Sequence, residues 1–138
     1  MKLINTGLTV TLLFAVAMAG CLTAEQSQQK TVRISPDEAF MLIQENKNNP
    51  DFVIIDIRTP EEYKTGHIEN AININFYDPD FKQKLSSLEK DKTYIVYCRT
   101  GYRSGLAIPI FKELGFQKVY EIDGGIVEWV KSGYGVEK

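Results

Sequence analysis

The chain has 138 residues, 43% hydrophobic and 25% charged, which leaves room for one domain and argues against both a disordered chain and a membrane bundle. Its net charge of −2, with no cluster of Lys and Arg, offers no footprint for tracking phosphodiesters, so nucleic acid is not an expected partner. Two cysteines and a single histidine are too few for a closed Cys/His zinc site, and no metal is expected.

Residues 1–20 do not belong to the fold. Lys2 precedes LTVTLLFAVAMA, an apolar run shorter than the ~20 residues that span a bilayer but suited to the hydrophobic region of a secretory signal. Its exit, AMAGC, has two readings. It resembles a bacterial lipoprotein box, in which Cys21 is lipidated and becomes the mature N-terminus. Ala17 and Ala19 also form an A-x-A site, for ordinary cleavage after Ala19 and a soluble secreted product. The first is the expectation: residues 21–30 as a polar tether, and a domain over 31–138 exported to the periplasmic or another extracytoplasmic face. Only the lipid on Cys21 would then touch the membrane. Cys98 would be the one free thiol of the mature chain, in a compartment that favours disulfides.

TVRI is a short candidate strand. SPDEAFMLIQE opens with Ser35 as N-cap, Pro36 at the first helical position and Glu38 three residues after the cap, a helix-start signal that puts Ala39, Leu42 and Ile43 on one face. FVIID is an unalternating apolar run, as expected of a strand buried on both faces. TPEEYKTGHIENA predicts a capped short helix and a turn, AINI a further strand, and DPDFKQKLSSLEK one or two short helices. TYIVY is a second continuous apolar strand and ends at Cys98. SGLAIPIFKEL predicts a helix capped by Gly115, with a kink or a short first segment at Pro109. KVYEI and GGIVEWVKSG supply a last strand and a last helix. Strands alternating with helices predict an α/β domain with a mostly parallel, five-stranded sheet. Ligand sites in such sheets lie beyond the carboxyl ends of the strands, where Asp56 and Cys98 both stand.

The chemistry concentrates in YCRTGYRSG. A nucleophilic cysteine acts as its thiolate. A loop from strand to helix aims successive N–H groups inward, and the helix start adds partial positive charge. Arg99 and Arg103 add full charges nearby, and Gly101 permits a positive φ. Such a hollow suits an anion. Tyrosine phosphatases use a comparable loop with five residues between Cys and Arg, commonly after a histidine. Here four residues, RTGY, separate Cys98 from Arg103, and Tyr97 precedes the cysteine. The tighter ring favours one extra sulfur on Cys98 over a tetrahedral phosphoryl group.

With these motifs in order, the chain resembles the single-domain rhodaneses over roughly Val32 to Gly133. VIIDIRTPEEYKTGHIENAINI resembles the family's first signature, YCRTGYRSG its active-site loop and LGFQKVYEIDGGIVEW its closing segment. The resemblance implies a doubly wound α/β fold and transfer of a sulfane sulfur through a cysteine persulfide, with no cofactor. Cys98 matches the sulfur-accepting nucleophile. Arg99, Thr100, Gly101, Tyr102 and Arg103 match the cradle that holds the persulfide and an anionic donor such as thiosulfate. A thiol or cyanide would be the acceptor. Tyr102 stands where many relatives have a polar residue, so its ring is expected to narrow the pocket mouth.

Asp56 and Arg58 are expected to pair beside the site and hold Arg103. His67 is expected to be structural, in a turn, and not a general base. Glu61 and Glu62 open a short helix and read as dipole partners. Trp129 reads as core, and Gly124–Gly125 as a tight turn close to the site. Two other functions stay open: a carrier, sensor or docking module with little turnover, and a small cysteine-dependent phosphatase or arsenate reductase.

Overall fold

The computed structural model describes residues 28–138. The leader, Cys21 and most of the tether lie outside the described residues. Five strands, β1 (Lys30–Ile34), β2 (Phe52–Asp56), β3 (Ile72–Asn73), β4 (Thr93–Tyr97) and β5 (Lys118–Ile122), form one sheet in the order β1-β5-β4-β2-β3. Every strand pairing in the sheet is parallel. The helices between them are α1 (Pro36–Glu45), α2 (Pro60–Thr65), α3 (Phe81–Ser86), α4 (Tyr102–Glu113) and α5 (Gly125–Lys131).

The two continuous apolar strands are the middle of this sheet. Along β4, Tyr94 and Val96 face one core with Ile55, Leu85, Phe111 and Phe116, while Ile95 and Tyr97 face the other with Ile34, Ile54, Ile122 and Trp129. Both faces are covered, so apolar residues need not alternate with polar ones. Trp129 is core, and its indole N–H donates to the Gly135 carbonyl at 3.0 Å.

Local signals set the helix starts. The Ser35 hydroxyl accepts from the Glu38 N–H, and the Glu38 carboxylate accepts from the Ser35 N–H, a complete capping box. Thr59 caps α2 from one side only, its hydroxyl accepting from the Glu62 N–H. Two expectations shift. α4 starts at Tyr102 and runs as one element through Pro109, with no short first segment. Pro109 lies on the exposed side of α4, so its ring displaces no packed neighbour. The strand expected over AINI is reduced to Ile72–Asn73 at the sheet edge.

Candidate active site

Cys98 follows the last residue of β4 directly and is 1% exposed. The chain then turns through Arg99, Thr100 and Gly101 into α4. Gly101 is the helix N-cap in the left-handed region, at φ 98°. That conformation is inexpensive for glycine and brings its N–H to 3.1 Å from Cys98 Sγ. The Ser104 N–H reaches the same sulfur at 3.4 Å. Two amides of the loop and first helical turn therefore meet on the sulfur itself.

The loop is held from behind by α5. The Cys98 carbonyl accepts from the Ile126 N–H at 3.0 Å, and the Arg99 carbonyl from the Val127 N–H at 3.1 Å. Gly125 sits between them at φ 60°, where a Cβ would stand 2.5 Å from the Cys98 carbonyl oxygen. The double glycine is thus the place where one backbone lies against another, as the tight-turn reading expected.

The arginines are arranged differently from expectation. Asp56 and Arg58 do form a buried pair, with Arg58 Nε and Nη2 both on the carboxylate at 2.6–3.0 Å. Arg58 also donates to the Gly66 carbonyl, at 2.7 Å. Neither residue holds Arg103. Glu62 does: its two carboxylate oxygens each accept from one terminal nitrogen of Arg103, both at 2.8 Å. This bidentate pair holds the Arg103 guanidinium more firmly protonated and the Glu62 carboxyl below its ordinary value. The guanidinium carbon also lies 5.5 Å from the centre of the Tyr77 ring. Arg99 and Thr100 are exposed, and Arg99 has no salt bridge among the described residues. Tyr102 is 74% exposed, so its ring stands out in solvent and does not wall the sulfur.

His67 packs elsewhere. Its ring stacks on Tyr63 with centroids 3.7 Å apart, Nδ1 lies 3.0 Å from the Tyr63 carbonyl, and Nε2 lies 3.5 Å from Glu137. Its backbone pairs with Glu137 as well, so it ties down the C-terminal tail. Tyr97, on the opposite side of the sheet from Cys98, accepts from the Ile68 N–H through its hydroxyl at 3.0 Å.

Two site residues escaped the sequence. Ser104 Oγ stands 3.5 Å from Cys98 Sγ and donates to Glu121 Oε1 at 2.8 Å. Glu121 is 4% exposed and is held by Arg33 of β1. A lone acidic residue next to the last position of KVYEI was the available signal, because a buried carboxylate in an inner strand needs a partner.

The family description "Rhodanese-like domain" matches residues 41–132. Similar solved structures include a rhodanese-related protein from Thermoplasma volcanium, at 32% identity and TM-score 0.63 over 76% of this chain and 96% of that one. The polysulfide-sulfur transferase of Wolinella succinogenes is 31% identical, with TM-score 0.63 and 78% of each chain covered. A tRNA uridine(34) hydroxylase of Legionella pneumophila (strain Corby) is 32% identical over 85% of this chain and 46% of its own length. The chain thus spans less than half the length of that curated relative.

Proposed function

The chain belongs to the rhodanese-like family, and we propose that it is a sulfurtransferase carrying a sulfane sulfur on Cys98. The observation that carries this reading is a buried cysteine sulfur at the carboxyl end of a central parallel strand, with the Gly101 and Ser104 amides converging on it. The Cys98 thiolate attacks the sulfane sulfur of a donor such as thiosulfate. The donor's S–S bond breaks and sulfite leaves with the bonding pair. The outer sulfur of the persulfide is anionic, and the first amides of α4, from Tyr102 and Arg103, have no acceptor within the helix by their position. They suit it. A thiol or cyanide then removes that sulfur, so the two half-reactions predict ping-pong kinetics. Similarity to a polysulfide-sulfur transferase supports the same chemistry.

Intact-protein mass spectrometry tests it. The reduced protein should gain one sulfur on exposure to thiosulfate, lose it to cyanide, and gain none as Cys98→Ser. No gain from thiosulfate or from glutathione persulfide would sink the reading, and a gain without repeated turnover would make the domain a carrier.

The likeness to tRNA uridine(34) hydroxylases favours a second reading, a rhodanese-like module acting on tRNA uridine. The net charge of −2 and a sequence pI near 5.5 weigh against it. Salt-dependent binding of tRNA by the purified chain would restore it. For location, the leader and AMAGC support an exported protein anchored through lipid on Cys21. Labelled fatty acid should enter the wild type and not Cys21→Ser.

A further inference from the structure

Glu121 lies on β5, after α4 in the chain, yet it reaches the sulfur through a single side chain, Ser104. It stands opposite Val96 of β4 and opposite Arg33 of β1 in the parallel register, on the face that α4 covers. Arg33 donates to both of its oxygens, Nε to Oε2 at 3.2 Å and Nη2 to Oε1 at 3.3 Å. Gly105 of α4 lies over this pair; a Cβ there would stand 3.4 Å from Arg33 Nη2 and 3.7 Å from Glu121 Oε1. The helix thereby brings the fully buried Ser104 to within 2.8 Å of Glu121.

A serine hydroxyl has one proton. Ser104 has two acceptors for it, the Gly101 carbonyl at 3.2 Å and the Glu121 carboxylate at 2.8 Å, and the shorter, charged one is favoured. With that proton committed to Glu121, a lone pair of Ser104 Oγ faces Cys98, and the thiol S–H points into it at 3.5 Å. The three groups form one chain of hydrogen bonds running from sulfur to carboxylate. The same chain can run the other way.

We propose that Ser104 and Glu121 form a proton relay that takes the thiol proton from Cys98, with Glu121 as the positioning residue and ultimate acceptor. The S–H bond of Cys98 breaks as an O–H bond forms at Ser104 Oγ, and the original hydroxyl proton passes to Glu121 Oε1. The protein's net charge does not change, and no electrons are exchanged with another molecule. Afterwards the Ser104 hydroxyl donates to the thiolate that it has just created, and the Glu121 carboxyl donates to Ser104. A buried thiol thus acquires an internal base. The charged groups facing this path are Arg33 from β1, with Asp123 after β5 beside it, and Arg103 from α4, already paired to Glu62 of α2. The relay deepens the sulfur-transfer reading and rests on Cys98 being its nucleophile.

The test needs no sulfur donor, so its failure and the failure of sulfur transfer are read apart. Alkylation of the full chain by iodoacetamide is followed against pH, with modification at Cys98 resolved from Cys21 by peptide mass spectrometry. For Glu121→Gln the expected result is a rate at least roughly tenfold below wild type near neutrality, converging with it at high pH where hydroxide ionises the thiol unaided. Ser104→Ala, which interrupts the path without changing any charge, should give the same displaced profile, and the double variant should be no slower than either single one. The Ser104→Ala arm stands even where Glu121→Gln fails to fold. Profiles that superimpose on wild type, or move to lower pH because a negative charge has gone, would overturn the relay.

Discussion

Glu62 closes on Arg103 across forty-one positions of sequence with two parallel hydrogen bonds of 2.8 Å, so the last arginine of the cysteine loop meets the sulfur pocket already neutralised. Glu62 lies below its ordinary 4.5 because Arg103 hydrogen-bonds its ionised form, burial opposing. A carboxyl lowered on folding contributes stability above its unfolded value, and that contribution is lost as pH falls through the folded one. Urea unfolding of the wild type should therefore weaken as pH falls below the ordinary carboxyl value of 4.5 by more than in Glu62→Gln. At neutral pH the substitution should cost about 1–2 kcal/mol, because the pair is only partly shielded from water. It should also tighten binding of an anionic donor, since Arg103 then keeps an uncompensated charge. Looser binding of thiosulfate by a folded Glu62→Gln would show that the pair orients the loop instead.

Gly125 should tolerate no side chain. A Cβ there would stand 2.5 Å from the Cys98 carbonyl and 2.6 Å from the Arg99 carbonyl, at a φ of 60°. Gly133 offers the comparison: its φ of 92° is also in the left-handed region, yet nothing lies within 4 Å of its Cβ position. Gly133→Ala should cost about 1 kcal/mol, the conformational part alone. Gly125→Ala should cost more than about 3 kcal/mol and slow alkylation of Cys98, because the clash falls on the loop's own backbone. Equal losses of melting temperature in the two variants would place the Gly125 effect in conformation only.

The difference between what could be read and what could not follows from distance along the chain. Ser35, Pro36 and Glu38 announce α1 because a capping box is a conversation among four consecutive residues. FVIID and TYIVY announce buried parallel strands by the lack of alternation, and their ends place Asp56 and Cys98 on the right edge of the sheet. Arg103 shows the opposite case. Its charge and nearness to Cys98 were visible, but its partner was chosen by packing α2 against the loop, and Glu62 looked locally like a helix-start acid. Ser104, Glu121 and Arg33 likewise come from three separate elements, joined by register across β5 and the fall of α4. The exposure of Tyr102 was not legible, because the first residue of a helix can face either the pocket or water.

Asp56 and Arg58 should matter more for stability than for turnover. Asp56 is wholly buried and its carboxylate takes the Arg58 backbone N–H as well as Nε and Nη2. Asp56→Asn leaves the Arg58 guanidinium buried without a counter-charge, with one amide oxygen and the Gly66 carbonyl as its acceptors. Breaking a buried pair from one side costs about 3–5 kcal/mol. Arg58→Met should be milder, because the methylene packing is kept and no cation is left buried without its partner. A loss below about 1 kcal/mol in Asp56→Asn would mean that water reaches Arg58 when its partner is removed.

Tyr97 provides the control for the cysteine loop, being its neighbour in sequence and on the other face of the sheet. Burial, with Asp56 nearby, pushes its phenol well above the ordinary range, so the hydroxyl stays neutral at every working pH. That hydroxyl is the acceptor for the Ile68 N–H, in the segment that carries the chain from α2 to β3. Tyr97→Phe removes one oxygen and leaves a buried amide without its partner, a loss of about 1–3 kcal/mol. The ring stays, so Cys98 and the amides on its sulfur keep their places. Chemical denaturation should therefore register the substitution while the alkylation profile of Cys98 does not move. A displaced profile would mean that strain in the Ile68 segment reaches the loop through β4.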